Sequence, residues 1–190
     1  MSFGIVFTNL LLVSACIYAM RTLDPTEHCY AYVAASLALI QGVLSLLRGL
    51  ALVPDECGLA SSISEDIVIV LPHTMTNIEI YLKSDLNRVA MVHCLCLVPL
   101  IYDVVGRIGD DYDPCTDKLK DLALFANMIS TGYLALHEGN EQYYGLLAVA
   151  IIARFGGSAV DLLVDCVGYH VATLGPAGIL AMMTYTLTGK

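Results

Sequence analysis

At 190 residues, 57% of them hydrophobic and with a mean hydropathy of +0.72, the chain is long enough for one domain and too apolar for an ordinary soluble one. Its net charge of −9 and scattered Lys and Arg argue against a nucleic-acid partner, because phosphate binding needs clustered cations. Residues 3–20, 29–47, 89–102, 122–136 and 166–188 contain no Asp, Glu, Lys or Arg, and a bilayer crossing needs roughly 20 predominantly apolar residues. The expected fold class is an all-α polytopic transmembrane helical bundle of about five or six helices, a single integral membrane domain over residues 1–190.

The first helix is expected over residues 3–21. It has the apolar run of a signal peptide, yet residues 1–9 carry no Lys or Arg, so it reads as an uncleaved first span. Asp24-Pro25 looks like an N-cap followed by Pro at the first helical position, with Glu27 adding a capping-box-like carboxylate. A second helix would run over 25–53 and stop at Pro54, which has no N–H to continue it. After a polar connection, Ser62 and Glu65 stand in capping-box spacing. The β-branched run at 67–71 suits a strand in isolation, but a lone strand leaves its backbone unpaired in lipid. A helix over 64–83, bent at Pro72, is therefore expected. His73, Asn77, Glu79 and Lys83 make it polar enough to lie at the interface or against the bundle.

The next helix covers 85–106, with a kink at Pro99. A second Asp-Pro, Asp113-Pro114, opens a fifth helix that runs to His137, with Gly139 as its C-cap. Beyond the polar turn 138–142, an apolar helix passes Gly156-Gly157 and reaches residue 172. Gly175-Pro176 is expected to break it ahead of a short terminal segment over 179–187. The two Asp-Pro helices suggest a weak repeat of two units, about 1–84 and 85–190, of the kind on which transporters are built.

Ala34, Ala38, Gln41, Ser45 and Arg48 recur on one face of the second helix, with Gly42 and Gly49 beside them. Small residues let membrane helices approach closely and polar ones hydrogen-bond across the contact, so this stripe is a helix-packing face. Arg154, Ser158, Asp161, Asp165, Gly168 and Ala172 share the same spacing if the last long helix is continuous. Carboxylates in so apolar a stretch are costly in lipid. Asp161 and Asp165, with Arg154 and Arg48 as partners, are therefore the intramembrane charged candidates. The simpler role for them is an ion pair that locks two helices together. Asp103 and Arg107 form a favourable i, i+4 pair at a helix end.

His93 and Cys96 share a helix face, but His93, Cys94 and Cys96 do not converge as metal ligands. His93 and His170 would be the pair for a membrane haem, with core or interfacial histidines as the plainer reading. Most of the seven cysteines lie inside apolar runs, where a thiol behaves as a small hydrophobe, while Cys29, Cys57 and Cys115 lie near connections. Trp is absent, and several of the eleven Tyr lie near span ends, where they can take its interfacial role. P-loop, nucleophile-elbow, HExxH and dinucleotide-binding motifs are missing, so no catalytic residues, metal or cofactor are expected.

The leading expectation is a non-enzymatic membrane protein of structural, assembly or accessory-subunit type. Its partners would be the lipid bilayer, other membrane subunits or a second copy of itself. A small ion, proton or solute transporter using the intramembrane carboxylates is the alternative. A soluble oligomer that buries its apolar faces is the third reading.

Overall fold

The computed structural model describes residues 3–50, 58–162 and 168–189, and these form seven α-helices and one 3-10 segment with no strand among them. In chain order they are α1 (Phe3–Thr22), α2 (Cys29–Gly49), α3 (Gly58–Lys83), the 3-10 segment Asn87–Leu97, α4 (Val98–Ile108), α5 (Cys115–Glu138), α6 (Glu141–Asp161) and α7 (Gly168–Thr188). Gly4–Thr22, Cys29–Gly49, Asn87–Ile108 and Glu141–Asp161 are long and apolar enough to cross a membrane.

The hub is α3, which touches α2, the 3-10 segment, α4, α5 and α7. One apolar core joins Leu12, Cys16 and Ala19 of α1 to Ala31, Ala35 and Ala38 of α2 and to Leu180 and Met183 of α7. A second joins Ile80 and Tyr81 of α3 to Leu134, Ala135, Leu146 and Ile179 on α5, α6 and α7. The outer surface is apolar too, with Leu95, Ile108, Leu136 and Leu162 among its most exposed side chains.

Several expected boundaries move, each for a local reason. Asp24 does not cap α2. Its Oδ1 accepts the amide and hydroxyl of Thr26, two residues on, at 2.8 and 2.7 Å, so Asp24-Pro25 closes a turn and α2 starts at Cys29. Asp113 repeats this turn by accepting the Cys115 amide at 2.9 Å, directly ahead of α5. Gly139 ends α5 in the left-handed conformation, φ 64°, and Asn140 caps α6 through the Gln142 amide at 3.0 Å. Helix α3 starts at Gly58, ahead of the Ser62–Glu65 box, and Pro72 lies within it.

Pro99 does not kink a helix. It sits in the first turn of α4, where its missing N–H costs nothing, and the chain before it winds as a 3-10 segment. Three residues per turn stack Ala90, His93 and Cys96 on one face, and Ala90 and His93 are buried. Gly175-Pro176 does not break the chain either, and α7 runs through it to Thr188. The expected five or six helices are therefore too few.

Gly175 is where α7 meets α6. A Cβ there would lie 2.6 Å from Ala153 Cβ and 2.7 Å from Ala153 Cα, and a backbone atom cannot yield as a flexible side chain does. Gly175→Ala is expected to lower stability by about 1–3 kcal/mol through overpacking. Gly58→Ala, which meets nothing within 4 Å, should leave the unfolding midpoint unchanged or slightly raised.

Candidate functional site

In an apolar bundle the polar residues have to be justified one by one, and most of the buried ones lie on or against α3. Its 26 residues span about 39 Å at 1.5 Å per residue. Polar groups are met at both ends and in the middle.

Near the start of α3, Asp66 meets α4 and α5. Arg107 Nη2 lies 2.7 Å from Asp66 Oδ2, and Arg107 Nε lies 3.0 Å from Asp103 Oδ2. Lys120 Nζ lies 3.0 Å from Asp103, 3.1 Å from Asp66 and 2.9 Å from Asp117. Thr116 donates to Asp103 Oδ1 at 2.8 Å, and Arg107 donates to Ser62. The Asp103 side chain is 0% exposed, yet its charge is matched by two cations and a hydroxyl. Three carboxylates share two cations in a clamp between helices, so that each charged group has at least one opposite partner. At its exposed rim Tyr112 donates to Asp117, and that bond to a carboxylate pushes the phenol above its usual range.

At mid-helix, α3, α5 and the 3-10 segment share a network of amides, hydroxyls and imidazoles. Asn77 Nδ2 donates to both the backbone O and Oδ1 of Asn127 at 2.9 Å. Asn127 Nδ2 donates to Thr74 Oγ1 at 3.1 Å and to Ala123 O at 3.2 Å. Thr131 donates to Asn77 Oδ1 at 2.7 Å, which leaves its oxygen to accept from His73 Nε2 at 3.3 Å. Asn127 Oδ1 accepts from His93 Nδ1 at 3.0 Å, since a carbonyl oxygen only accepts, and His93 Nε2 meets Ser130 Oγ at 3.3 Å. Nδ1 of His93 is thereby held in the network, while Ser130 donates its hydroxyl to Tyr81 at 2.7 Å.

At the far end Glu79, 3% exposed, caps a helix distant in sequence. Its Oε2 accepts the Tyr30 and Ala31 amides at 3.1 and 3.4 Å, satisfying the first turn of α2 with a charge that suits the helix dipole. His28 sits beside it, with Nδ1 3.7 Å from Glu79 Oε1 and accepting from Lys83 Nζ at 2.9 Å. Burial and then the Lys83 charge hold His28 below the ordinary imidazole range, outweighing Glu79, Glu27 and Asp24. The unfolded chain takes up a proton near about pH 6.5 that the folded chain resists, so stability falls as the pH drops below that value. His28→Gln is expected to flatten this loss between about pH 7 and about 5.5. Thermal unfolding in a neutral detergent, read by the reactivity of the buried Cys16 thiol, measures it.

Beside this polar helix lies a cleft of about 330 Å³ between α1, α2, α3 and α7. Asn9, Gln41, Ser45, Arg48, Ser61, Glu65 and Thr173 supply its polar wall, and Leu12, Val68 and Ile69 part of its apolar one. The polar wall is held in place from behind. Asn9 Nδ2 donates to Ile5 O at 2.8 Å, Gln41 Nε2 to Ser45 Oγ at 3.0 Å, and Ser64 Oγ to Gln41 Oε1.

Among the described residues, the charged candidates read from spacing do not come together. α6 ends at Asp161, whose Oδ1 accepts the Gly168 amide at 2.6 Å at the start of α7. Arg154 pairs with Asp121 of α5 at the surface, Arg48 faces the cleft, and Asp165 lies outside the described residues. Cys57 and the side chain of His170 also lie outside them. On α2, Ala34, Ala38, Gln41 and Gly42 are buried and Ser45 is partly so. Gly42 packs against Leu12 and Val13 of α1. Among the described residues no group of three or more His, Cys, Asp or Glu is placed to hold a metal ion.

Spacing took Glu65 only for a capping-box residue and missed Asp66, Lys120 and Asn127 as site residues. Their signal was their polarity within otherwise apolar helices, and their partners lie on other helices.

Neither a curated protein nor a solved structure matches the chain. A family model described as "Domain of unknown function (DUF4791)" matches residues 25–187, which takes in α3, the clamp, the amide network and the Arg48–Glu65 side of the cleft, and the chain belongs to that family.

Proposed function

We propose that the chain is a multi-pass integral membrane protein that carries a small polar solute through the cleft between α1, α2, α3 and α7. The observation behind this reading is a partly open cleft with a polar wall in a bundle whose exterior is apolar. Lipid accounts for the exterior, since soluble monomers rarely expose contiguous apolar patches larger than a few hundred Å². A cleft of about 330 Å³ with a few convergent polar groups has the character of a ligand site.

The assembly reading loses ground for a specific reason. The small-residue stripe of α2 is consumed within the chain, where Gly42 meets α1 and Gln41 meets Ser64 of α3. It has no need of a second subunit.

Ser45 lines the cleft and is only partly buried, so Ser45→Trp should fill it at the cost of the single bond that Gln41 Nε2 donates to Ser45 Oγ. Proteoliposomes preloaded with mixed amino acids, sugars and short carboxylates are expected to exchange labelled counterparts of one class. Ser45→Trp should reduce that exchange to the protein-free background while the protein still elutes as one species. Wild-type exchange no faster than protein-free vesicles would reject solute carriage.

A further inference from the structure

The charges of the cleft narrow the class of molecule it holds. Arg48, in the last turn of α2, and Glu65, early in α3, both line it. They face the same cleft, yet among the described residues neither makes an ion pair, with the other or with anything else. The contrast is with the clamp a short way along α3, where every Asp, Lys and Arg has at least one opposite partner. The remaining polar wall is neutral amide and hydroxyl.

We propose, resting on the reading of the cleft as a solute site, that it binds a small zwitterion with its anionic group on Arg48 and its ammonium on Glu65. A guanidinium presents a planar fork that suits a carboxylate or a phosphate, and a carboxylate accepts from an ammonium. A ligand with only a negative charge meets Glu65 uncompensated, and one with only a positive charge meets Arg48, so each wall rejects what the other attracts. The volume lies at the small end for ligand sites, and Leu12, Val68 and Ile69 leave an apolar wall for a short aliphatic portion. This chemistry has two sources, a free amino acid or the headgroup of a zwitterionic phospholipid.

The test uses the full-length chain in a neutral maltoside detergent, titrated by calorimetry with L-alanine, phosphoethanolamine, dioctanoyl phosphatidylethanolamine, propionate and ethylamine. At least one zwitterion is expected to bind at least about tenfold more tightly than propionate or ethylamine. Arg48→Gln should weaken the zwitterion by about tenfold and leave ethylamine as good or better. Glu65→Gln should weaken the zwitterion while improving propionate. Opposite shifts for the two single charges are a signature that misfolding does not produce. Binding of L-alanine upholds both the zwitterion and the solute site. Binding of phosphoethanolamine, itself a free solute, upholds both as well, whereas binding of the lipid without L-alanine or phosphoethanolamine upholds the zwitterion and overturns solute carriage. Propionate or ethylamine binding as tightly as the zwitterions overturns the zwitterion and leaves solute carriage standing. A folded, monodisperse protein that binds none of the five overturns the zwitterion, with the exchange assay deciding solute carriage separately.

Discussion

Asp103→Ala should cost about 3 kcal/mol, the low end of the roughly 3–5 kcal/mol lost when one partner of a buried ion pair is removed. The substitution leaves Lys120 and Arg107 short of the carboxylate that faces both at 3.0 Å, while Thr116 keeps the Asp113 carbonyl at 2.6 Å as an acceptor. Asp66 and Asp117 still face those cations, which is why the upper end is not expected. Asp121→Ala is the matched control. It removes an ion pair to Arg154 whose side chains are 50% and 36% exposed, and it should cost no more than about 1 kcal/mol. Unfolding midpoints in the same detergent compare the two, and equal losses would show that the clamp is not the buried network described.

Asn127→Ala is the second large effect expected, about 2–3 kcal/mol. It removes the side-chain partner of Asn77, His93 and Thr74 at once, and an orphaned buried polar group typically costs about 1–3 kcal/mol. Asn77 keeps its bond to the Asn127 backbone, which limits the loss. A double-mutant cycle of Asn77→Ala with Asn127→Ala should give a coupling near about 0.6–1 kcal/mol. A bundle that unfolds within lipid lets stranded amides find other partners, so its hydrogen bonds count for less than their geometry suggests. Additivity of the two substitutions would remove the network from the account of what holds α3 to α5.

The sequence was most legible where a signal and its response lie within a few residues. Gly139 after α5 and the Asp103–Arg107 pair act locally, as do the turns at Asp24 and Asp113, which read as N-caps in the sequence. Even there, Asp24 chose Thr26 over the helix, because a short carboxylate reaches the amide two residues on as readily as a first-turn amide. The all-helical class followed from apolar runs that alternate with polar turns.

The site was less legible because its partners are far apart in sequence. Glu79 caps α2 across 49 residues, and Asn77 meets Asn127 across 50, and neither pairing leaves a spacing to read. The stripe from Arg154 to Ala172 is read on the condition of one continuous helix. Spacing by turns has meaning only within one helix, and α6 ends at Asp161. Arg48 and Glu65 were visible as residues, but nothing in the order of residues shows that α1, α2, α3 and α7 enclose a cavity between them.

Everything proposed for the cleft depends on the bundle standing in lipid, with Leu95, Ile108, Leu136 and Leu162 turned outward to it. Alkaline carbonate extraction of membranes from cells making the full-length chain tests that directly. The protein should stay in the membrane pellet, with the Cys16 thiol unreactive until detergent and heat unfold the bundle. Release into the carbonate supernatant as a folded oligomer would contradict the membrane reading and assign the apolar exterior to subunit contacts.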